Sequence, residues 1–351
     1  MTLLEMCAID LPIIQAPMAG VSTPELAAAV SNTGALGSIG VGAANADEAR
    51  KIIGAFRARS QRSLNVNVFC HAPAKGNPRL ETGWLEILQP HFARHGATAP
   101  RELRQIYRSF VEDDAMLAAL LAEKPRVVSF HFGLPAAERI DALRSANIVL
   151  LASATSLTEA RAAQEAGVHG IVAQGYEAGG HRGVFDPAAV DDRLGTLALT
   201  RILARSLRVP VIAAGGIMDG AGIAAALRLG AVAAQLGTAF IACPESAADA
   251  GYRKALAGDS ASHTVMTRAI SGRDARCLRN RFTELAAGVS LEEIPEYPIA
   301  YDAGKALNAA AKAAGEPGYG AQWAGQGAPL ARALPAAELV RMLVAELREC
   351  E

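Results

Sequence analysis

The sequence predicts an α/β fold, a (β/α)8 TIM barrel with a smaller, mostly helical domain inserted after the eighth strand. Three observations carry this prediction. Segments beginning near residues 12, 35, 64, 127, 148, 170, 210 and 231 are apolar throughout rather than alternating, the pattern of parallel strands buried on both faces. Three stretches, Leu11 to Gly40, Asn147 to Gly175 and Val209 to Gly237, repeat one order: apolar strand, loop of small residues, Ala/Leu-rich helix, glycine, apolar strand. Several strand starts lie 21 to 29 residues apart, the length of one βα unit, and eight such units close into a barrel of ~250 residues. The competing arrangement is an open doubly wound sheet. Its GxGxxG fingerprint does not fit the spacing in Gly34-Ala-Leu-Gly-Ser-Ile-Gly-Val-Gly42.

Each element has local signals. Ser22 or Thr23 before Pro24 and Glu25, Ser156 before Glu159, and Asp219 cap helix starts, because their side-chain oxygens accept from the free amides of a first turn. Gly34, Gly167 and Gly230 suit left-handed helix ends. Leu64 to Phe69 and Val127 to Phe132 supply two further strands. Extra length falls in two places, Cys70 to Arg126 and the block from Cys243 to about Ala324. Leu334 to Leu347 reads as the closing helix. The domain expectation is therefore a barrel over residues 1–242 and 325–351, and a helical substrate-pocket domain over 243–324.

Composition narrows the function classes. A net charge of −1 gives no electrostatic reason to bind nucleic acid or an anionic membrane. No apolar run reaches the ~18 residues of a membrane helix, and the N-terminus lacks the basic residues of a signal peptide. Five scattered cysteines with no CxxC pair argue against a disulfide framework or zinc site and fit a reducing cytoplasm. HxxxH occurs once, at His91 and His95, but HExxH is absent and no cluster of carboxylates suggests a metal. His71, His91, His95, His169 and His263 read as surface or loop histidines.

In a barrel, chemistry sits at the C-terminal strand ends. Those positions hold Gln15 to Met18 with Pro17, Asn67, His131, Gln174 to His181, Gly215-Gly216, and Gln235-Leu236-Gly237-Thr238: amides, histidines and glycines, with almost no acids. The glycines after the seventh and eighth strands read as a phosphate cradle of backbone amides; the plainer reading is tight strand-to-helix turns. Asn67, Gln174 and Gln235 are amides that must find partners. A flavin ring supplies them, as would neighbouring backbone, and together with the cradle they point to FMN. The run Gln174 to Gly183, QGYEAGGHRG, carries four glycines and His181. It reads either as a flexible turn or as a cofactor approach beside an acid/base group. Tyr301 and Lys305, one helical turn apart, could hold an anion.

The segments PIIQAPMAGVSTPELAAAVSNTGALGSIG, NVNVFCH, SFHFG, QGYEAGGHRG, AAGGIMDG, QLGTAF, CPES and AQWAGQG resemble nitronate monooxygenases, once called 2-nitropropane dioxygenases, and are most similar to the class I bacterial type. The likeness covers nearly the whole chain. It implies FMN held at Pro17, Met18, Asn67, Gln174, Gly179, Gly180, Gly215, Gly216, Gln235, Leu236, Gly237 and Thr238. It implies His181 as the catalytic histidine, with His131, Tyr107, Tyr297, Tyr301 and Lys305 lining the substrate pocket. The implied reaction is oxidation of an alkyl nitronate, propionate 3-nitronate being expected, by O2 to an aldehyde or ketone plus nitrite. The nitronate gives one electron to FMN, and the semiquinone then reduces oxygen. The implied partners are a small anionic nitronate and O2, with no metal, in a monomer or homodimer. His181 is either a base or a positive anchor for the anion. Competing functions are an NAD(P)H-dependent FMN reductase of quinones or enoyl thioesters, and a non-catalytic FMN- or phosphate-binding module. An IMP-dehydrogenase-like reading would need a catalytic cysteine, for which Cys70 and Cys243 lack context.

Overall fold

The computed structural model describes residues 1–350. In chain order the helices are α1 (Leu3–Cys7), α2 (Pro24–Ser31), α3 (Ala46–Arg57), α4 (Pro78–Arg94), α5 (Asp114–Glu123), α6 (Ala137–Ser145), α7 (Leu157–Glu165), α8 (Thr196–Ser206), α9 (Gly220–Arg228), α10 (Thr238–Ile241), α11 (Ala250–Leu256), α12 (Arg281–Leu285), α13 (Ile299–Ala313) and α14 (Ala336–Glu349). The strands are β1 (Ile13–Gln15), β2 (Gly37–Gly40), β3 (Leu64–Phe69), β4 (Val127–His131), β5 (Val149–Ala154), β6 (Gly170–Gln174), β7 (Gly180–His181), β8 (Val211–Ala214), β9 (Ala233–Leu236), β10 (Thr264–Thr267) and β11 (Ala275–Leu278).

Eight of these strands form one parallel sheet in the order β1-β9-β8-β6-β5-β4-β3-β2. A parallel bridge from Ile14 to Leu36 joins its two edges, so the barrel closes. The expected caps form: Thr23, Ser156 and Asp219 each accept a hydrogen bond from an amide of the first turn. Gly34, Gly167 and Gly230 end helices at φ +95°, +89° and +103°, a conformation glycine adopts without the Cβ penalty.

Period-two alternation sorts the strand side chains. Val128, Phe130, Leu150, Ile171 and Ala173 pack outward against the helices, while Ile14, Val127, Val149, Leu151, Val172 and Ile212 fill the barrel interior. The interior is plugged at its N-terminal end by Leu3 and Cys7 of α1, a helix held by a Thr2–Glu5 capping box.

The second lobe differs from the helical domain expected over 243–324 in two respects. It contains strands: β10 and β11 pair antiparallel, and β11 pairs with β7 from the barrel loop after β6. It also recruits α4 from the insert after β3. Trp84, Leu88 and Phe92 of α4 are fully buried against Ala300, Ala303 and Leu307 of α13. Burying each such side chain stabilises the lobe by roughly 1.5–3 kcal/mol, so two distant insertions fold as one packed unit.

Candidate active site

The same alternation decides which side chains reach the barrel mouth. Asn67, Ser129, His131, Gln174 and Gln235 line a cavity of about 270 Å³ there. The side chain of Leu236, expected to contact a cofactor, does not line this cavity. Its neighbour Gln235 takes the inward position, and Leu236 is buried in the helix layer with Ala234 and Phe240. Pro17, Met18, Gly179, Gly180, Gly215, Gly216, Gly237 and Thr238 all border the cavity.

The glycine edge has a specific geometry. Gly215 and Gly216 have φ of +127° and +69°. A Cβ on Gly215 would lie 2.7 Å from Thr196 Oγ1 and 3.1 Å from the amide of Ala178, so the turn leaves no room for a side chain. Among the described residues, the amides of Gly215, Gly216, Gly237 and Thr238 donate to no protein acceptor. Four free amides at one end of a cavity form a set of donors that a phosphate satisfies.

The loop carrying His181 is not a free turn. Gly180 and His181 form β7, in register with Arg276 and Ala275 of β11. A Cβ on Gly179 would come within 2.5 Å of the Ala324–Gly325 backbone, so only glycine permits that approach. Gln174 holds the loop from below. Its Nε2 donates to the His181 carbonyl at 3.0 Å and its Oε1 accepts from the Gly183 amide at 2.7 Å. His131 Nε2 meets the same His181 carbonyl at 3.2 Å. Both side chains thus position the loop as well as lining the cavity. Asn67 donates to the carbonyl and the Oγ of Ser129, both at 3.0 Å.

His181 sits in an aromatic box. Its ring centroid lies 5.1 Å from Trp323, 5.2 Å from Tyr297, 5.5 Å from Phe132 and 6.1 Å from Tyr301. Burial holds its pKa well below the ordinary histidine value, and His131, the Arg273 guanidinium and His71 push the same way. Burial thus favours the neutral ring, the form a proton acceptor needs. Burial likewise raises the phenols of Tyr107, Tyr297 and Tyr301, the last to about 12, so all three stay protonated donors. The cation beside the cavity is Lys305, whose Nζ lies 4.9 Å from the Tyr107 ring centre and 5.4 Å from that of Tyr301. Among the described residues no carboxylate lies within ion-pair distance of Lys305, and none lines the cavity.

His71 is a correction: it is 1% exposed rather than a loop histidine on the surface. It packs edge-on against Tyr297 with ring centroids 5.0 Å apart, and burial lowers its pKa to about 4. Tyr297 of the second lobe packs on it, a contact that its local sequence does not signal. Trp323 and Tyr252 were also missed. Both line the cavity, and the Tyr252 hydroxyl donates to the Trp323 carbonyl. The AQWAGQG run, holding one of only two tryptophans, was the available signal. Cys70 and Cys243 are buried, and burial pushes both thiols up, Cys243 to about 12, so neither is poised as a nucleophile.

A closed parallel barrel whose mouth joins a glycine cradle to an acid-free aromatic pocket defines a barrel protein with a site for a small molecule. The family model for nitronate monooxygenase matches residues 1–346. A nitronate monooxygenase of Paraburkholderia phytofirmans is 65% identical over 99% of this chain and 95% of its own length. One from Pseudomonas aeruginosa is 54% identical over 97% of both. Among solved structures, a nitroalkane oxidase from Streptomyces ansochromogenes superposes with a TM-score of 0.90 at 41% identity, covering 99% of this chain and 98% of that one. FabK from Thermotoga maritima gives 0.74 at 29% identity, covering 99% and 96%. The chain belongs to the nitronate monooxygenase family. No helix among the described residues is long and apolar enough to cross a membrane.

Proposed function

We propose that this protein binds FMN and oxidises small anionic alkyl nitronates, propionate 3-nitronate among them, with O2 to a carbonyl compound and nitrite. The observation that carries the reading is the charge of the cavity: no carboxylate, one lysine, and phenols held protonated. In a half-buried site an unpaired cation attracts an anion more strongly than in water, and a lining carboxylate would oppose it.

The residues fit FMN. The free amides of Gly215, Gly216, Gly237 and Thr238 would hold the phosphate. The Gln235 amide and Asn67 Oδ1, which has no other partner among the described residues, would meet the ring. When bound, FMN supplies the one-electron chemistry between the nitronate and oxygen. The protein's own contribution is positional. Lys305 and the hydroxyls of Tyr107, Tyr297 and Tyr301 orient the anion, and Trp323 and Phe132 exclude water around His181. Neutral His181 accepts a proton. From a neutral nitroalkane it would take the Cα proton, leaving the electron pair of the broken C–H bond on the nitronate.

The test is oxygen consumption with a series of nitronates, beside anaerobic mixing of the flavin-loaded protein with NADH or NADPH. Turnover with nitronates and no bleaching by nicotinamide is expected. Rapid bleaching by NADH without nitronate turnover would replace this reading by the nicotinamide-dependent reductase.

A further inference from the structure

The cavity is held together from outside by a residue that does not line it. Ser271 lies between β10 and β11 and is fully buried. Its Oγ is 2.9 Å from His181 Nε2 and 3.1 Å from the carbonyl oxygen of Arg273. A hydroxyl has one hydrogen and two lone pairs. Donated to the Arg273 carbonyl, which can only accept, that hydrogen leaves a lone pair on Oγ for the imidazole. His181 Nε2 must then carry the ring's proton. Turned the other way, the hydroxyl would leave the buried Arg273 carbonyl without this donor, an unfavourable state for a buried acceptor.

The backbone fixes where Ser271 stands. Gly272 has φ +89°, and a Cβ there would meet the Pro295 carbonyl and the Tyr297 amide at 2.5 Å. On the other side, Gly304 of α13 lets the Ile270 carbonyl approach to 2.4 Å from where its Cβ would be. The segment is wedged between a loop and a helix, and the hydroxyl has no freedom to follow the histidine.

We propose that Ser271 is a positioning residue that sets the tautomer of His181: its Oγ accepts a hydrogen bond from Nε2–H and so leaves the Nδ1 lone pair as the ring's proton acceptor. His181 Nδ1 has no partner among the described residues. A histidine tautomer is set by the hydrogen bond its other nitrogen makes, and here the second lobe imposes it on a residue of the barrel loop. The inference rests on His181 being the reacting group of the proposed function.

The test is nitrogen NMR of the flavin-loaded protein labelled with 15N-histidine, with the His181 signals assigned by their loss in His181→Asn. At pH 8 the wild type is expected to give a neutral ring protonated at Nε2 alone. A ring protonated at Nδ1, or at both nitrogens, overturns the proposal. In Ser271→Ala the single tautomer is expected to be lost, with kcat for a neutral nitroalkane down about tenfold or more and KM and flavin content unchanged. Ser271→Thr, which keeps the hydroxyl, is expected to restore both the spectrum and kcat. An alanine variant that keeps the wild-type spectrum and turnover overturns the proposal. The spectrum reads the tautomer whether or not nitronates are turned over, so failure of the substrate reading and failure of this one are separate results.

Discussion

The two halves of the active site are built by different means. The barrel half, Asn67, Gly215-Gly216 and Gln235 to Thr238, comes from strand ends and the turns that follow them. Each piece belongs to one βα unit and is held by parallel pairing on both sides, as Ala214 is by Gln174 and Gln235. The lobe half, Tyr297, Tyr301, Lys305 and Trp323, arrives from far along the chain and depends on α4, α13 and the β10–β11 hairpin packing together. His181 is the hinge between them: it follows a barrel strand, yet pairs with β11. A phosphate site needs only backbone amides at a rigid edge, whereas a substrate pocket needs side chains converging from several directions.

If this division is right, damage to the lobe half should cost turnover and spare flavin, and damage to the cradle should do the reverse. The largest effect is expected from His181→Asn. With a neutral nitroalkane as substrate, turnover should fall by roughly 10²–10⁴, the usual contribution of a general base, with FMN content unchanged by absorbance. Loss of flavin in that variant would erase the distinction between the halves.

The seam between them should be acid-sensitive. His131 and His71 both have pKa values pushed down to about 4 by burial. Unfolded, they would titrate near 6.5. Between those values the unfolded chain binds more protons than the native one, so stability rises with pH and is lost as pH falls from about 6.5 toward 4. Each histidine contributes on the order of 3 kcal/mol to that loss. Thermal melts across this range should show Tm falling steadily on acidification, and less steeply in His71→Phe. A flat Tm would mean that the histidines are hydrated rather than enclosed.

On the cradle side, Gly216→Ala places a side chain at φ +69° and a Cβ 3.3 Å from Glu177 Cβ. Backbone strain of this kind costs about 1–3 kcal/mol. Flavin affinity, read by fluorescence titration, should weaken about tenfold or more, while the flavin-loaded fraction keeps its kcat. The smallest change is expected from Lys305→Met, which removes the cation and keeps the side-chain bulk. KM for an anionic nitronate should rise by up to about tenfold, about 1.4 kcal/mol, with kcat little altered. An equal fall in kcat would place Lys305 in the reaction rather than in binding.

The barrel half was legible because its determinants are local. Thr23, Ser156 and Asp219 cap helices, Gly34, Gly167 and Gly230 end them, and the glycines after β8 and β9 sit where a barrel puts a phosphate. The expected strand starts fall within two residues of those observed, and the closing helix begins at Ala336 rather than Leu334. Gln174 was legible as a strand-end amide, yet its work on the His181 loop was not, since its partners are fixed only when the loop folds back. His71 misled because a histidine beside a Pro/Ala-rich stretch looks exposed until Tyr297, more than two hundred residues later, covers it.

The sequence by itself determined the barrel, its caps, the glycine turns and the family's motifs, because period, capping and backbone freedom act over a few residues. Only the tertiary structure decided the burial of His181, the pairing of its loop with β11 and the place of Ser271 behind it. Those depend on desolvation and on hydrogen bonds between segments some ninety residues apart, and neither exists until the second lobe has closed on the barrel.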